Sequence, residues 1–109
     1  MSININSTQH FQSIVNSNSL IVLYVYAEWC SPCRSIKSEY EKLANKYNNV
    51  VFLKQNIDLE IQNPDFKVTG IPSFYFYKNG RIVLTNIGEP LNVLGPKIKA
   101  LDTIVRQLL

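Results

Sequence analysis

The chain has 109 residues, 46% of them hydrophobic and 17% charged, a balance that suits one compact domain, residues 1–109, with its own core. Its net charge of +3 comes from lysines and arginines spread along the chain, which argues against a nucleic-acid surface, where basic residues cluster on one face. The longest apolar run, Leu20–Ala27, is far too short to span a bilayer.

Met1–Gln9 is polar and lacks the basic start and apolar stretch of a secretory leader, so a cytoplasmic or other reducing compartment is expected. Ile3 and Ile5 alternate with polar residues and predict a short edge strand. Ser7–Asn16 reads as a helix with Phe11, Ile14 and Val15 on one face, and Ser7 or Thr8 suits its start. Leu20–Tyr26 is continuously apolar and rich in β-favouring residues, as in a central strand covered on both faces. A helix follows from about Ser31, with Ile36, Tyr40, Leu43, Ala44 and Tyr47 in one stripe, ending at Asn48-Asn49. Val50–Gln55 is a second buried strand, and Leu59–Phe66 is expected to hold a short helix interrupted at Pro64. Ser73–Tyr77 and Ile82–Ile87 are strands flanking Lys78-Asn79-Gly80-Arg81, where Asn-Gly signals a tight hairpin. Pro96 opens a last helix with the stripe Ile98, Leu101, Ile104 or Val105, and Leu108. Parallel strands need helical crossovers and the last two strands form a hairpin. The sum is an α/β fold, one mixed sheet of about five strands flanked by about four helices.

The two cysteines stand as Cys30-Ser31-Pro32-Cys33. A structural disulfide this short would constrain the unfolded chain little. A structural zinc site takes four ligands, and His10, the one histidine, is remote and without a ligand-spaced companion. No metal is expected. In a reducing compartment, C-x-x-C beside a βαβ pattern is a redox motif.

Ala27-Glu28-Trp29-Cys30-Ser31-Pro32-Cys33, then Gly70-Ile71-Pro72, then Lys78-Asn79-Gly80 and Gly88 closely resemble the thioredoxin family, in order and spacing, along nearly the whole chain. The resemblance implies the thioredoxin fold and thiol–disulfide exchange. Cys30 would stand at a helix start, where the dipole and free amides favour the thiolate that attacks a substrate disulfide. Pro32 suits the first helical turn. Cys33, one turn in and less exposed, would resolve the mixed disulfide. Pro72 matches the family's cis-proline facing the dithiol, and the backbone of Ile71 would pair with an extended substrate segment. Ile71 is the residue type of thioredoxins proper, which points to a reductant rather than an oxidant or isomerase. Trp29 would form an apolar rim for substrate, its alternative being ordinary core packing. Tyr26 stands where many thioredoxins carry a second Trp.

Three departures matter. Tyr24 occupies the position of the family's buried Asp, and a phenol is a poor base at neutral pH. Lys54 matches that Asp's lysine partner and would snorkel to solvent or be partly neutral without a carboxylate. Cys33 is then expected to lose its proton to water or to Glu28. Ser31 replaces a glycine, so a hydroxyl could reach the thiolate and shift the reduction potential. Ser38 replaces the proline that kinks the second helix, which predicts a straighter helix.

The expected activity is reduction of protein disulfides by a monomer, recharged by an NADPH-dependent reductase or by glutathione. No bound cofactor is implied, since the dithiol carries the electrons. The alternative is a binding or chaperone module that uses Trp29, Ile71 and Pro72 to hold partners with weak redox turnover.

Overall fold

The computed structural model describes residues 1–17 and 19–109. Strand β1 (Ile3–Asn4) leads to helix α1 (Thr8–Ser17) and central strand β2 (Leu20–Tyr26). Helices α2 (Ser31–Ser35) and α3 (Lys37–Lys46) precede β3 (Val51–Asn56). Then come β4 (Ser73–Lys78), β5 (Arg81–Ile82), β6 (Asn92–Leu94) and α4 (Ile98–Leu108). The sheet order is β1-β3-β2-β4-β5, with β6 also on β4. β3 runs parallel to β1 and β2, and β4 runs antiparallel to β2, β5 and β6.

β2 is buried on both faces, as a continuous apolar run requires. Val22 and Tyr24 point into the core that α2, α3 and α4 cover, with Tyr40, Phe52, Phe74 and Leu101. Ile21, Leu23 and Val25 point into the core under α1, with Phe11, Val15 and Tyr77. Ser7 caps α1, its hydroxyl oxygen accepting the His10 amide at 3.0 Å. Asn79 and Gly80 turn the β4–β5 hairpin with φ of 54° and 82°, the left-handed pair a two-residue hairpin needs.

Four expectations are corrected. The helix after Ser31 is not straight: it breaks at Ile36, without a proline and despite Ser38. The Ser35 hydroxyl takes the Pro32 carbonyl at 2.7 Å, and the Ile36 amide falls back on the Cys33 carbonyl at 3.3 Å. A serine bond into the ladder and a tightened last turn both bend a helix. Leu59–Phe66 is not helical. Two of its amides find partners outside it, Leu59 at the Asn56 carbonyl and Gln62 at the Thr8 hydroxyl, and Ile61 bonds the Leu59 carbonyl. Ile82–Ile87 is strand only at its start, with an isolated bridge at Leu84–Pro90. The missing edge is supplied by β6, three residues too few for a sequence pattern. Pro96 lies before Lys97, the residue that caps α4, rather than opening the helix.

Asp102 ties α4 to α3. It accepts from Lys46 at 3.0 Å and from the Tyr47 hydroxyl, with Arg106 at 4.0 Å. The Tyr47 hydrogen bond, then Lys46 and Arg106, outweigh partial burial and hold its carboxyl below the usual range. A depressed carboxyl stabilises the fold above its unfolded pKa, and that contribution is lost as pH falls through the folded value. Asp102→Asn is therefore expected to lower the urea midpoint at neutral pH, with the gap to wild type closing in acid, as pH falls below the ordinary carboxylate value and through the folded one. Urea titrations at both pH values measure it.

Candidate active site

Cys30 caps α2 at the end of the turn that leaves β2, its amide bonded to the Ala27 carbonyl at 3.2 Å. Its Sγ accepts the Cys33 amide at 3.3 Å. A sulfur in this place takes one of the amides that a helix start leaves unpaired. Pro32 sits in the first turn, where it has no amide hydrogen to lose. Cys30 and Cys33 are joined in a disulfide, with Cα atoms 5.2 Å apart. Both are buried, Cys30 at 5% and Cys33 at 3% exposure. The difference between them is therefore slight while the bridge is closed. Ser31 is exposed, and its hydroxyl bonds neither sulfur among the described residues.

The Ile71–Pro72 peptide is cis. Val25 pairs with Ser73 across β2 and β4, so Pro72 and the dithiol turn leave the sheet at the same end. Ile71 packs against the core that holds both cysteines. Its main-chain N–H and C=O make no hydrogen bond among the described residues, while the Pro72 carbonyl is taken by the Gly95 amide at 2.8 Å. Trp29 is 67% exposed, which removes the core-packing alternative. Its indole Nε1–H donates to Asp58 at 2.9 Å. Asp58 belongs to no motif of its own. Its signal is Asn56, whose side chain accepts the Asp58 amide and turns the chain after β3.

A cavity of about 290 Å³ lies behind Cys33, with Tyr24, Tyr26, Glu28 and Lys54 in its wall. The Tyr24 hydroxyl donates to the Cys33 carbonyl at 3.2 Å. Burial, then Tyr26, pushes that phenol far above its ordinary value, so at neutral pH it is a donor and no base. Burial, then the Glu28 charge, raises Tyr26 as well. Glu28 is exposed at the mouth, and its carbonyl accepts from Arg34 at 2.9 Å.

Lys54 corrects the expectation of an uncompensated ammonium. Its Nζ lies 3.5 Å from Glu41, a carboxylate from α3. Glu41 in turn accepts the Ser2 amide at 2.9 Å and the Ser2 hydroxyl. Burial pushes the Glu41 carboxyl up, but the two Ser2 bonds and Lys54 together leave it below its ordinary value. No motif marks Glu41, because its partners come from β3 and from the residues before β1.

A cysteine pair that closes on a helix start, next to main chain left unpaired, is the equipment of a thiol–disulfide oxidoreductase. The thioredoxin family model matches residues 2–100. Thioredoxin 1 of Plasmodium falciparum is 37% identical over 86 residues, 77% of this chain and 82% of that one. Thioredoxin-1 of Schizosaccharomyces pombe is 33% identical over 97 residues, 88% and 94% of the two chains. Among solved structures, Plasmodium falciparum thioredoxin superposes with a TM-score of 0.82 at 31% identity, over 98% of both chains. Fasciola hepatica thioredoxin does so with 0.81 at 27% identity, over 100% of both. The chain belongs to the thioredoxin family and is a protein thiol–disulfide oxidoreductase. No helix among the described residues is long and apolar enough to cross a membrane.

Proposed function

We propose that this chain reduces protein disulfides, with Cys30 as nucleophile and Cys33 as resolving thiol. The Cys30 thiolate attacks one sulfur of a substrate disulfide. That bond breaks, one substrate thiolate leaves, and a mixed disulfide joins Cys30 to the other sulfur. Cys33 then gives up its proton and attacks Cys30, closing the bridge and releasing the second substrate thiolate. Two electrons pass to the substrate, and protons taken up by the two thiolates complete its reduction. The observation that carries this reading is Cys30 Sγ at the α2 start, already accepting the Cys33 amide.

Trp29, Ile71 and Pro72 hold the substrate in this reading. The exposed indole supports it, as does the unpaired Ile71 backbone, which can take an extended segment as a short added strand. The Cys33 proton passes to water or to Glu28, which shares the cavity with Cys33. The protein works as a single-domain monomer in a cytoplasmic or other reducing compartment. An NADPH-dependent reductase or glutathione recharges the dithiol.

Insulin reduction in excess dithiothreitol tests the reading. The chain is expected to speed precipitation well above the uncatalysed rate, and an uncatalysed rate would overturn the proposal. The exposed Trp29 also favours a binding module with weak turnover. That reading would be the one left if captured partners were retained while insulin stayed unreduced.

A further inference from the structure

The charged and titratable groups around the Cys33 cavity are Tyr24 and Tyr26 from β2, Glu28 from the turn before α2, Arg34 from α2, Lys37 from α3 and Lys54 from β3, and β1 adds only the neutral Asn4. The two phenols are neutral at physiological pH, since burial raises both. Glu28, Arg34 and Lys37 are exposed, where water weakens any field they exert on the thiol. Lys54 differs. Its side chain is 19% exposed, and it stands beside Tyr24 in the β2–β3 register and beside Asn4 in the β1–β3 register. A lysine on a long flexible stem carries its ammonium to water unless a fixed partner holds it back. Here the partner is Glu41 at 3.5 Å, itself fixed by the amide and hydroxyl of Ser2.

We propose that Glu41 is a positioning residue for thiol exchange: anchored by Ser2, it keeps the Lys54 ammonium in the cavity wall, where the charge favours the Cys33 thiolate that closes the disulfide. The inference rests on Cys33 being the resolving thiol. A buried thiol is harder to ionise, and a nearby cation offsets that cost. Glu41 also carries a negative charge of its own, which opposes the thiolate. Its indirect effect through Lys54 and its direct effect on Cys33 therefore have opposite signs, so their sum can be read experimentally.

The test titrates Cys33 in the reduced protein, by NMR of cysteine labelled with carbon-13 at Cβ. Glu41→Gln is expected to raise its pKa by roughly half a unit to one unit. Release of substrate from the mixed disulfide should slow about three- to tenfold at pH 7 and recover at pH 9. Ser2→Ala should shift the pKa the same way by less, and Glu41→Asp should restore part of the wild-type value. In a Lys54→Met background, adding Glu41→Gln should leave the pKa unchanged or lower it. The proposal is overturned if Glu41→Gln lowers the pKa or leaves it alone, even with a reduced Tm. It is equally overturned if the rise persists without Lys54. Should Glu41→Gln fail to fold, the Ser2→Ala and Lys54→Met titrations decide, and an unchanged Cys33 pKa in both overturns the idea. Failure of the underlying reading looks different: Cys33→Ser would then turn over like wild type, whatever the titrations gave.

Discussion

Cys30→Ser is expected to bring insulin reduction down to the uncatalysed rate, and Cys33→Ser to stop the reaction one step later. The first variant lacks the sulfur proposed to attack substrate, and a serine hydroxyl at the same helix start is far too weak an acid to replace it. The loss should be roughly a thousandfold or more, as for removal of any covalent nucleophile. The second variant keeps Cys30 and should still attack. Without Cys33, one turn inside α2 with its Cα 5.2 Å away, nothing within the chain breaks the mixed disulfide. Mass spectrometry should then find substrate bound to Cys30 and released only by added thiol. An adduct on the other cysteine, or turnover by Cys30→Ser at the wild-type rate, would reverse the assignment of roles.

Tyr24→Asp carries the second large effect, in two directions at once. The ring stacks on Phe74 at 4.9 Å and lies 4.8 Å from Tyr40, and its hydroxyl bonds the Cys33 carbonyl. Replacing it with a short carboxylate removes that packing and buries a charge, at a cost of about 3–5 kcal/mol. The new carboxylate would share the cavity with Cys33 and with Lys54, its neighbour in the register, and is expected to accept the thiol proton. Reduction at pH 6 should therefore speed up although the fold is weaker. Tyr24→Phe separates the two effects: it loses only the hydroxyl bond, about 1 kcal/mol, and should leave the rate alone, because the phenol was never the base. Denaturant midpoints and insulin rates at pH 6 and pH 8 measure both. A Tyr24→Asp protein that is folded and no faster at pH 6 would count against the expected route of the Cys33 proton.

Most of the fold was legible because its signals are local. The run Leu20–Tyr26 needs no neighbour to read as a buried strand, and Asn79-Gly80 has the backbone freedom a hairpin demands wherever it occurs. The dithiol was legible for the same reason. Cys30, Pro32 and Cys33 lie within one helical turn, so their spacing alone brings the sulfurs together at a helix start. Expectation and structure part where a single side-chain bond, distant or local, overrules the pattern of the segment. Leu59–Phe66 is expected to hold a short helix interrupted at Pro64, but the Thr8 hydroxyl takes the Gln62 amide and the segment is not helical. The helix after Ser31 has no proline at its break, yet it ends at Ser35, whose hydroxyl donates to the Pro32 carbonyl.

Local sequence specifies the dithiol, the central strands and the hairpin, and the family resemblance places Tyr24 where an aspartate is usual. The first three rest on residues adjacent along the chain or within one helical turn. What surrounds the pair depends on the fold. It exposed Trp29 and gave it Asp58, turned Tyr24 into a donor to the Cys33 carbonyl, and brought Glu41 and Ser2 to Lys54 from separate elements. The physical reason is that a charge or hydrogen bond acts through space over a few ångströms. Strand pairing and the packing of helices and loops on the sheet together set which distant residues come within that range.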